Sequence, residues 1–168
     1  MRCYVIMGVA GCGKSSVGAE LARRRGMRFV DADDLHPPAN VAKMASGEPL
    51  TDADRAPWLR DVGQTFARAE APVVIACSAL KRSYRDIIRA QLPEPVAFIH
   101  LSAPPEVIGP RMQARADHFM PPALLQSQFA TLEPLGANET GIEVPIDHPF
   151  EVVCDALAAY VTGVTSNA

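Results

Sequence analysis

The chain has 168 residues, of which 48% are hydrophobic and 21% charged, and its formal net charge is −3. That length suits a single compact domain over residues 1–168, and that composition excludes a disordered chain. A slightly acidic balance leaves no electrostatic footprint for nucleic acid, and no run approaches the ~18 apolar residues that a membrane span requires.

The first predicted element is the strand CYVIM at 3–7. MRCYVIMGVAGC has a basic second residue and closes on VAGC, the form of a lipoprotein cleavage box. Its apolar stretch is short for an export signal and GKSS follows at once, so it reads as strand and loop. GVAGCGKS, Gly8 to Ser15, fits G-x-x-x-x-G-K-[ST] between that strand and a helix predicted over 14–25. Glycines let such a backbone curl so that its N–H groups point inward at a phosphate chain, and the helix adds its positive N-terminal end. Gly8, Val9, Ala10, Gly11, Cys12, Gly13, Lys14, Ser15 and Ser16 are thus the expected nucleotide cradle. Lys14 is to reach the β- and γ-phosphates, and the Ser15 hydroxyl is to hold Mg²⁺. No N-K-x-D guanine-reading motif is present, which argues for ATP over GTP.

Cys12 sits two residues before Lys14, beside a helix N-terminus, so its thiolate is expected to be favoured and reactive. Cys3 and Cys77 lie in apolar strands, and Cys154 completes a set with no C-x-x-C pair. A reduced, cytoplasmic protein is the expectation.

Gly26 suits a helix stop, and RFVD at 28–31 is the second strand, followed by the acidic stretch FVDADDLHPP. In a doubly wound sheet ligands gather at the carboxyl ends of strands. Asp31 and Asp33 are two apart, so they share a face if the chain stays extended, with Ala32 turned away. One carboxylate, Asp31, is to organise the metal shell; the other, Asp33, is to orient an acceptor hydroxyl and take its proton. Asp34 falls off that alternation and reads as solvent-facing or as a cap. The strand at 72–77, PVVIAC, ends without a carboxylate, so the metal-side acid is assigned to the second strand.

The remaining elements follow in order: helices over 38–46 and 53–69, the strand at 72–77, a helix over 80–91, a strand at 96–101, helices over 105–115 and 122–132, a strand at 143–147 and a helix over 150–161. KRSYRDIIR (81–89) reads first as an amphipathic helix with a solvated basic face. Five β-rich runs separated by helical patterns predict a three-layer α/β fold, with a five-stranded parallel sheet covered on both faces.

HPPANVAKMASGEPLTDADRAPWL, His36 to Leu59, makes the reading specific. Together with MGVAGCGKSS, VDADDLHP and CSALKRSYRDIIR (77–89), it resembles the substrate-binding region of the gluconokinase family of small P-loop kinases. RMQARADHFMPPALLQSQFATLEPL (111–135) resembles that family's lid and the helix after it. The resemblance spans about residues 3 to 147. It implies an ATP:D-gluconate 6-phosphotransferase with a nucleoside-monophosphate-kinase-like fold, a mobile lid at about 111–122, ATP and Mg²⁺ as cofactors, and a homodimer.

Gluconate is a polyol with a carboxylate, so its pocket needs acids for hydroxyls and cations for the carboxylate. Asp33, His36, Arg55, Lys81, Arg85 and, in the lid, His118 are the expected substrate contacts, with Lys43 a further cation. Lys14, Asp31, Arg111 and Arg115 are the expected catalytic set. The two lid arginines, spaced by four on one helix face, are to close over the triphosphate and stabilise charge during transfer. Trp58 reads as packing, and the nucleobase pocket is placed near Asp147 to Pro149. Gly109-Pro110 and Asp117 depart from the family pattern; Pro110 removes a helical hydrogen bond and bears on the lid's hinge. A shikimate-type or nucleotide kinase shares the phosphate loop and the D-x-D pair but does not need the 36–59 segment. A regulatory nucleotide-binding module without turnover has no need of Lys14, Ser15, Asp31 and Asp33 together.

Overall fold

The structure, a computed structural model, describes residues 1–113 and 122–166. Its elements are β1 (Cys3–Met7), α1 (Lys14–Arg25), β2 (Arg28–Asp31), a short 3₁₀ turn (Ala32–Leu35), α2 (Pro38–Ala45), α3 (Asp52–Ala67), β3 (Val73–Ala76), α4 (Arg82–Arg89), β4 (Val96–Ser102), α5 (Pro105–Gln113), α6 (Pro122–Thr131), β5 (Gly141–Pro145) and α7 (Phe150–Ser166). The lid residues Arg115 and His118 lie outside the described residues.

β1 is buried along its whole length, which is why its sequence is a continuous apolar run rather than an alternating one. Successive side chains nonetheless go to opposite faces. Tyr4 and Ile6 join Val17 and Leu21 of α1 and Leu157 and Val161 of α7 in one apolar layer. Cys3, Val5 and Met7 join Leu59, Val62 and Phe66 of α3 and Ile88 of α4 in the other. Burying both faces of one sheet under helices gives the three layers expected from the sequence.

All five strands are parallel, in the order β2-β3-β1-β4-β5. β2 is therefore not the neighbour of β1; β3 lies between them. The chain leaves β1 toward β2 on one side and reaches β4 on the other, so the strand order reverses beside β1. That switch point opens a crevice at the carboxyl ends of the strands, directly where the phosphate loop begins.

Local chemistry explains most element ends. Gly26 closes α1 at φ 63°, and Thr51 opens α3 with a capping box shared with Asp54. β5 is displaced from its expected place at 143–147 to Gly141–Pro145, in register with Phe98 to Ser102 of β4. In that register Ile142 and Val144 pack into one core layer, and Pro145 falls at the end of an edge strand, where its missing N–H is tolerated.

Candidate active site

The phosphate loop turns from β1 into α1 with Gly8 at φ 145°, Gly11 at 79° and Gly13 at 90°. A Cβ on Gly8 would lie 2.8 Å from both Cys12 Sγ and the Leu101 carbonyl oxygen, so the first glycine is needed for space as well as conformation. Lys14 Nζ donates to the Val9 carbonyl at 3.0 Å, folding its cation back over the loop.

Cys12 corrects an expectation. Its side chain is buried inside the curl of the loop, 2% exposed, and burial raises its thiol pKa against the opposing pull of Lys14. The positive potential beside the sulfur is real but loses to desolvation, so Cys12 is a small packing residue and not a reactive thiolate.

Although β3 separates β1 from β2, α1 carries Ser15 across the gap. Ser15 Oγ donates to Asp31 Oδ2 at 2.8 Å. Two oxygens on one side of the phosphate loop suit Mg²⁺, which keeps most of its shell for water and phosphate. Beyond Asp31 the chain does not stay extended. It tightens into the 3₁₀ turn, with Asp31 Oδ1 accepting from the Asp33 amide at 3.0 Å as its N-cap. The face-sharing argument from strand alternation thus fails, because local capping competes successfully with the strand. Asp33 still joins the site by another route. Surrounding protein strips part of its hydration and Asp31 adds like charge, so its pKa is raised even though His36 and Lys14 pull the other way.

Behind Asp33 stands a built platform. His36 stacks on Trp58 with ring centroids 4.1 Å apart, and Trp58 Nε1 is anchored to the Ala32 carbonyl at 2.7 Å. Trp58 is therefore packing, as expected, but packing that holds His36. Burial keeps the His36 pKa low against Asp33, and the Asn40 amide lies 3.3 Å from Nδ1, which leaves the proton of the neutral ring on Nε2. Lys43 is committed to Asp54 at 2.7 Å, as an ion pair rather than a free cation.

Arg55 and Lys81 are brought together by a residue that the sequence reading passed over. Asp52 accepts from Lys81 Nζ at 3.1 Å and from the Tyr84 hydroxyl at 2.5 Å, and lies 3.9 Å from Arg55. Both cations also sit over the Tyr84 ring, at 5.6 and 5.4 Å from its centroid. Tyr84 is a buried residue of the helix expected over 80–91, and its hydroxyl reaches this cluster. The available signal was the T-D-A-D-R order itself, in which a cap residue is followed by an acid free to reach α4.

Arg85 does not reach the site. Its side chain has no contact with water and every donor is used: two bonds to Glu139 at 2.8 Å, one each to the Ala79 and Leu80 carbonyls at 3.0 and 3.2 Å, and one to Pro134 at 3.3 Å. Its place in the specific 77–89 motif reflects what it holds, namely the turn before Lys81, where Ala79 takes a left-handed φ of 44°. Burial works against the charged form of Glu139, but hydrogen bonds from Arg85, the Gly136 amide and Arg89 outweigh it and hold the carboxyl at about 2. Arg85→Leu leaves that carboxylate buried and short of its main partner, and is expected to cost about 3–5 kcal/mol, read by denaturant unfolding. The folded pKa is depressed, so the stability this group contributes is complete above the ordinary value of 4.5 and is lost as pH falls toward 2. An acid titration of Tm that shows no steepening in that window in the parent, relative to Glu139→Gln, would contradict the assignment.

Arg111, at the end of α5, donates to the Ile146 carbonyl at 3.0 Å, and its charge is felt at Cys12. It therefore stands between the phosphate loop and the segment beginning at Asp147, where the nucleobase was expected. The residues that the structure gathers at this crevice are Lys14, Ser15, Asp31, Asp33, His36, Arg55, Lys81 and Arg111. Curled backbone N–H groups, a lysine, a helix N-terminus and the Ser15–Asp31 pair form a donor set that fits a magnesium-bound triphosphate.

Comparison with known proteins agrees with this geometry. The family model described as an AAA domain matches residues 4–135. A gluconokinase of Gluconobacter oxydans is 46% identical over 159 residues, covering 93% of this chain and 89% of that protein. The thermoresistant gluconokinase of Escherichia coli is also 46% identical, over 89% of this chain and 87% of its own. The crystal structure of a gluconokinase from Sinorhizobium meliloti superposes with a TM-score of 0.90 at 43% identity, covering 98% of this chain and 94% of that one. With its phosphate loop, its Ser15–Asp31 pair and relatives this similar along nearly its whole length, the chain belongs to the gluconokinase family of P-loop kinases.

Proposed function

We propose that this chain transfers the γ-phosphoryl group of ATP to the 6-hydroxyl of D-gluconate, giving 6-phospho-D-gluconate and ADP. The observation that carries the reading is the placement of two chemistries at one crevice. On one side is the phosphate loop with Ser15 and Asp31; on the other are Asp33, His36, Arg55 and Lys81, which offer an acid, an imidazole and two cations to a hydroxylated carboxylate.

Bound Mg-ATP supplies the transferable phosphoryl group. Ser15 and Asp31 are the oxygens assigned to Mg²⁺. Asp33 accepts the proton of the acceptor hydroxyl and fixes its direction; a raised pKa makes it a stronger base than an ordinary aspartate once ionised. Lys14 and Arg111 neutralise charge that builds on the transferred group, while Arg55 and Lys81 hold the substrate carboxylate. The lid assigned to about 111–122 would add Arg115 and His118. All 168 residues are read as one kinase domain, working as a homodimer in the cytoplasm, where four free, buried cysteines are at home. No described helix is long and apolar enough to cross a membrane.

The test is ADP release with gluconate, related sugar acids, shikimate and nucleoside monophosphates as acceptors. Gluconate is expected to give the highest kcat/KM, with NMR placing the phosphate on C6. Faster turnover of shikimate or a nucleoside monophosphate would overturn the substrate assignment. Folded protein that binds ATP but turns over no acceptor would instead mark a regulatory module.

A further inference from the structure

α6 and the two residues after it touch both halves of the crevice, and neither contact is explained by substrate binding. On the donor side, the side-chain carbonyl of Gln128 accepts from the backbone N–H of Ala10 at 2.6 Å, a contact across 118 positions of the chain. Ala10 lies in the middle of the phosphate loop, where backbone N–H groups define the shape of the cradle. On the acceptor side, the Glu133 amide donates to the Leu80 carbonyl at 2.8 Å, and the Glu133 carboxylate accepts from the Arg82 amide at 2.6 Å. These two bonds grip the backbone immediately before and after Lys81. Lys81, the residue preceding α4, contributes no side-chain cap of its own, so the Glu133 carboxylate does that work from outside.

Gln128 lies in the last turn of α6 and Glu133 two residues beyond its end, and the Leu132 amide bonds back to the Gln128 carbonyl at 2.9 Å, closing that turn. One short rigid element thus fastens the loop that holds the phosphoryl donor and the turn that holds the acceptor's cation. We propose that Gln128 is a positioning residue for phosphoryl transfer. It locks Ala10, and with it the phosphate loop, to the same strut that Glu133 locks to the Lys81 turn, so that donor and acceptor keep a fixed separation. The proposal rests on the kinase reading above and adds to it a residue that touches neither substrate.

In-line transfer is sensitive to distance: displacement of about 1 Å can cost on the order of 10²-fold in rate. Gln128→Leu keeps the bulk of the side chain and removes the acceptor. It is expected to lower kcat about 10-fold or more, with KM for ATP within about 2-fold of the parent, because what is lost is alignment and not binding. Gln128→Glu restores an acceptor of the same length but adds negative charge beside the triphosphate. The part of that repulsion already present in the bound ground state raises KM for ATP, and only the part that grows during transfer lowers kcat. So kcat should recover several-fold from the leucine value while KM for ATP rises. Gln128→Asn, which withdraws the acceptor by one methylene, should behave like the leucine variant and carries the test if the leucine variant does not fold. A folded leucine or asparagine variant with kcat within about 2-fold of the parent overturns the proposal, as does a kcat loss that glutamate fails to restore, or a defect confined to KM for ATP. Failure of the substrate reading shows differently: the parent enzyme itself makes no 6-phosphogluconate. The variant-to-parent ratio can then be read with whichever acceptor turns over.

Discussion

Lys14→Met is expected to lower kcat by at least about 10³-fold while the protein folds normally. Methionine matches the length of lysine and removes only the charge. Among the described residues Lys14 Nζ makes one hydrogen bond, to the Val9 carbonyl, and losing a single such bond costs about 1–3 kcal/mol. The catalytic loss is larger because charge accumulates on the phosphoryl oxygens during transfer, and a fixed ammonium in a partly dry crevice needs no reorganisation to meet it. Steady-state kinetics on protein shown by circular dichroism to be folded settles it. Turnover within a few-fold of the parent would remove Lys14 from the mechanism.

Asp33→Asn is expected to lower kcat with gluconate about 10²- to 10⁴-fold and to leave Mg-ATP binding nearly unchanged. The side chain keeps its shape and loses its capacity to take a proton. The parent also makes a pH prediction whose sign follows from the structure. Partial desolvation and the neighbouring Asp31 raise the Asp33 pKa, and a base works only when ionised, so the acid limb of kcat/KM should lie above the ordinary carboxylate range. That limb should disappear from the residual activity of the asparagine variant. Stability should run the other way. A carboxylate with a raised folded pKa disfavours the folded state once pH passes its unfolded value, so the neutral amide should leave Tm at neutral pH unchanged or slightly higher. A collapse of nucleotide affinity instead would move Asp33 into the metal shell and exchange its role with that of Asp31.

The division of labour between the two aspartates shows what a local reading reaches. Asp31 was recognisable as the acid closing a strand, and it does meet Ser15. The path of the chain past it was not, since a capping bond from the Asp33 amide is a short-range competitor that strand alternation ignores. Cys12 failed for a different reason. Helix dipole and lysine are visible in the sequence, but the desolvation that outweighs them depends on how tightly the loop curls around the sulfur.

By itself the sequence determined the alternation of strands and helices, the phosphate loop and the segments that carry the family resemblance, and all of these depend on signals a few residues long. Hydrophobic period, glycines at forced backbone angles and capping residues act locally, so they survive being read one window at a time. The tertiary structure alone decided that β3 stands between β1 and β2, and that Arg85 belongs to Glu139, 54 residues away. It also decided that Asp52 gathers Arg55, Lys81 and Tyr84, and that Ala10 is held by Gln128. Each of these is a choice of partner for a charge or backbone group that is wholly or partly withdrawn from water. An unpaired buried group costs several times what a satisfied one contributes, so the fold selects such partners by which side chains packing brings within reach. Distance along the chain carries no trace of that selection.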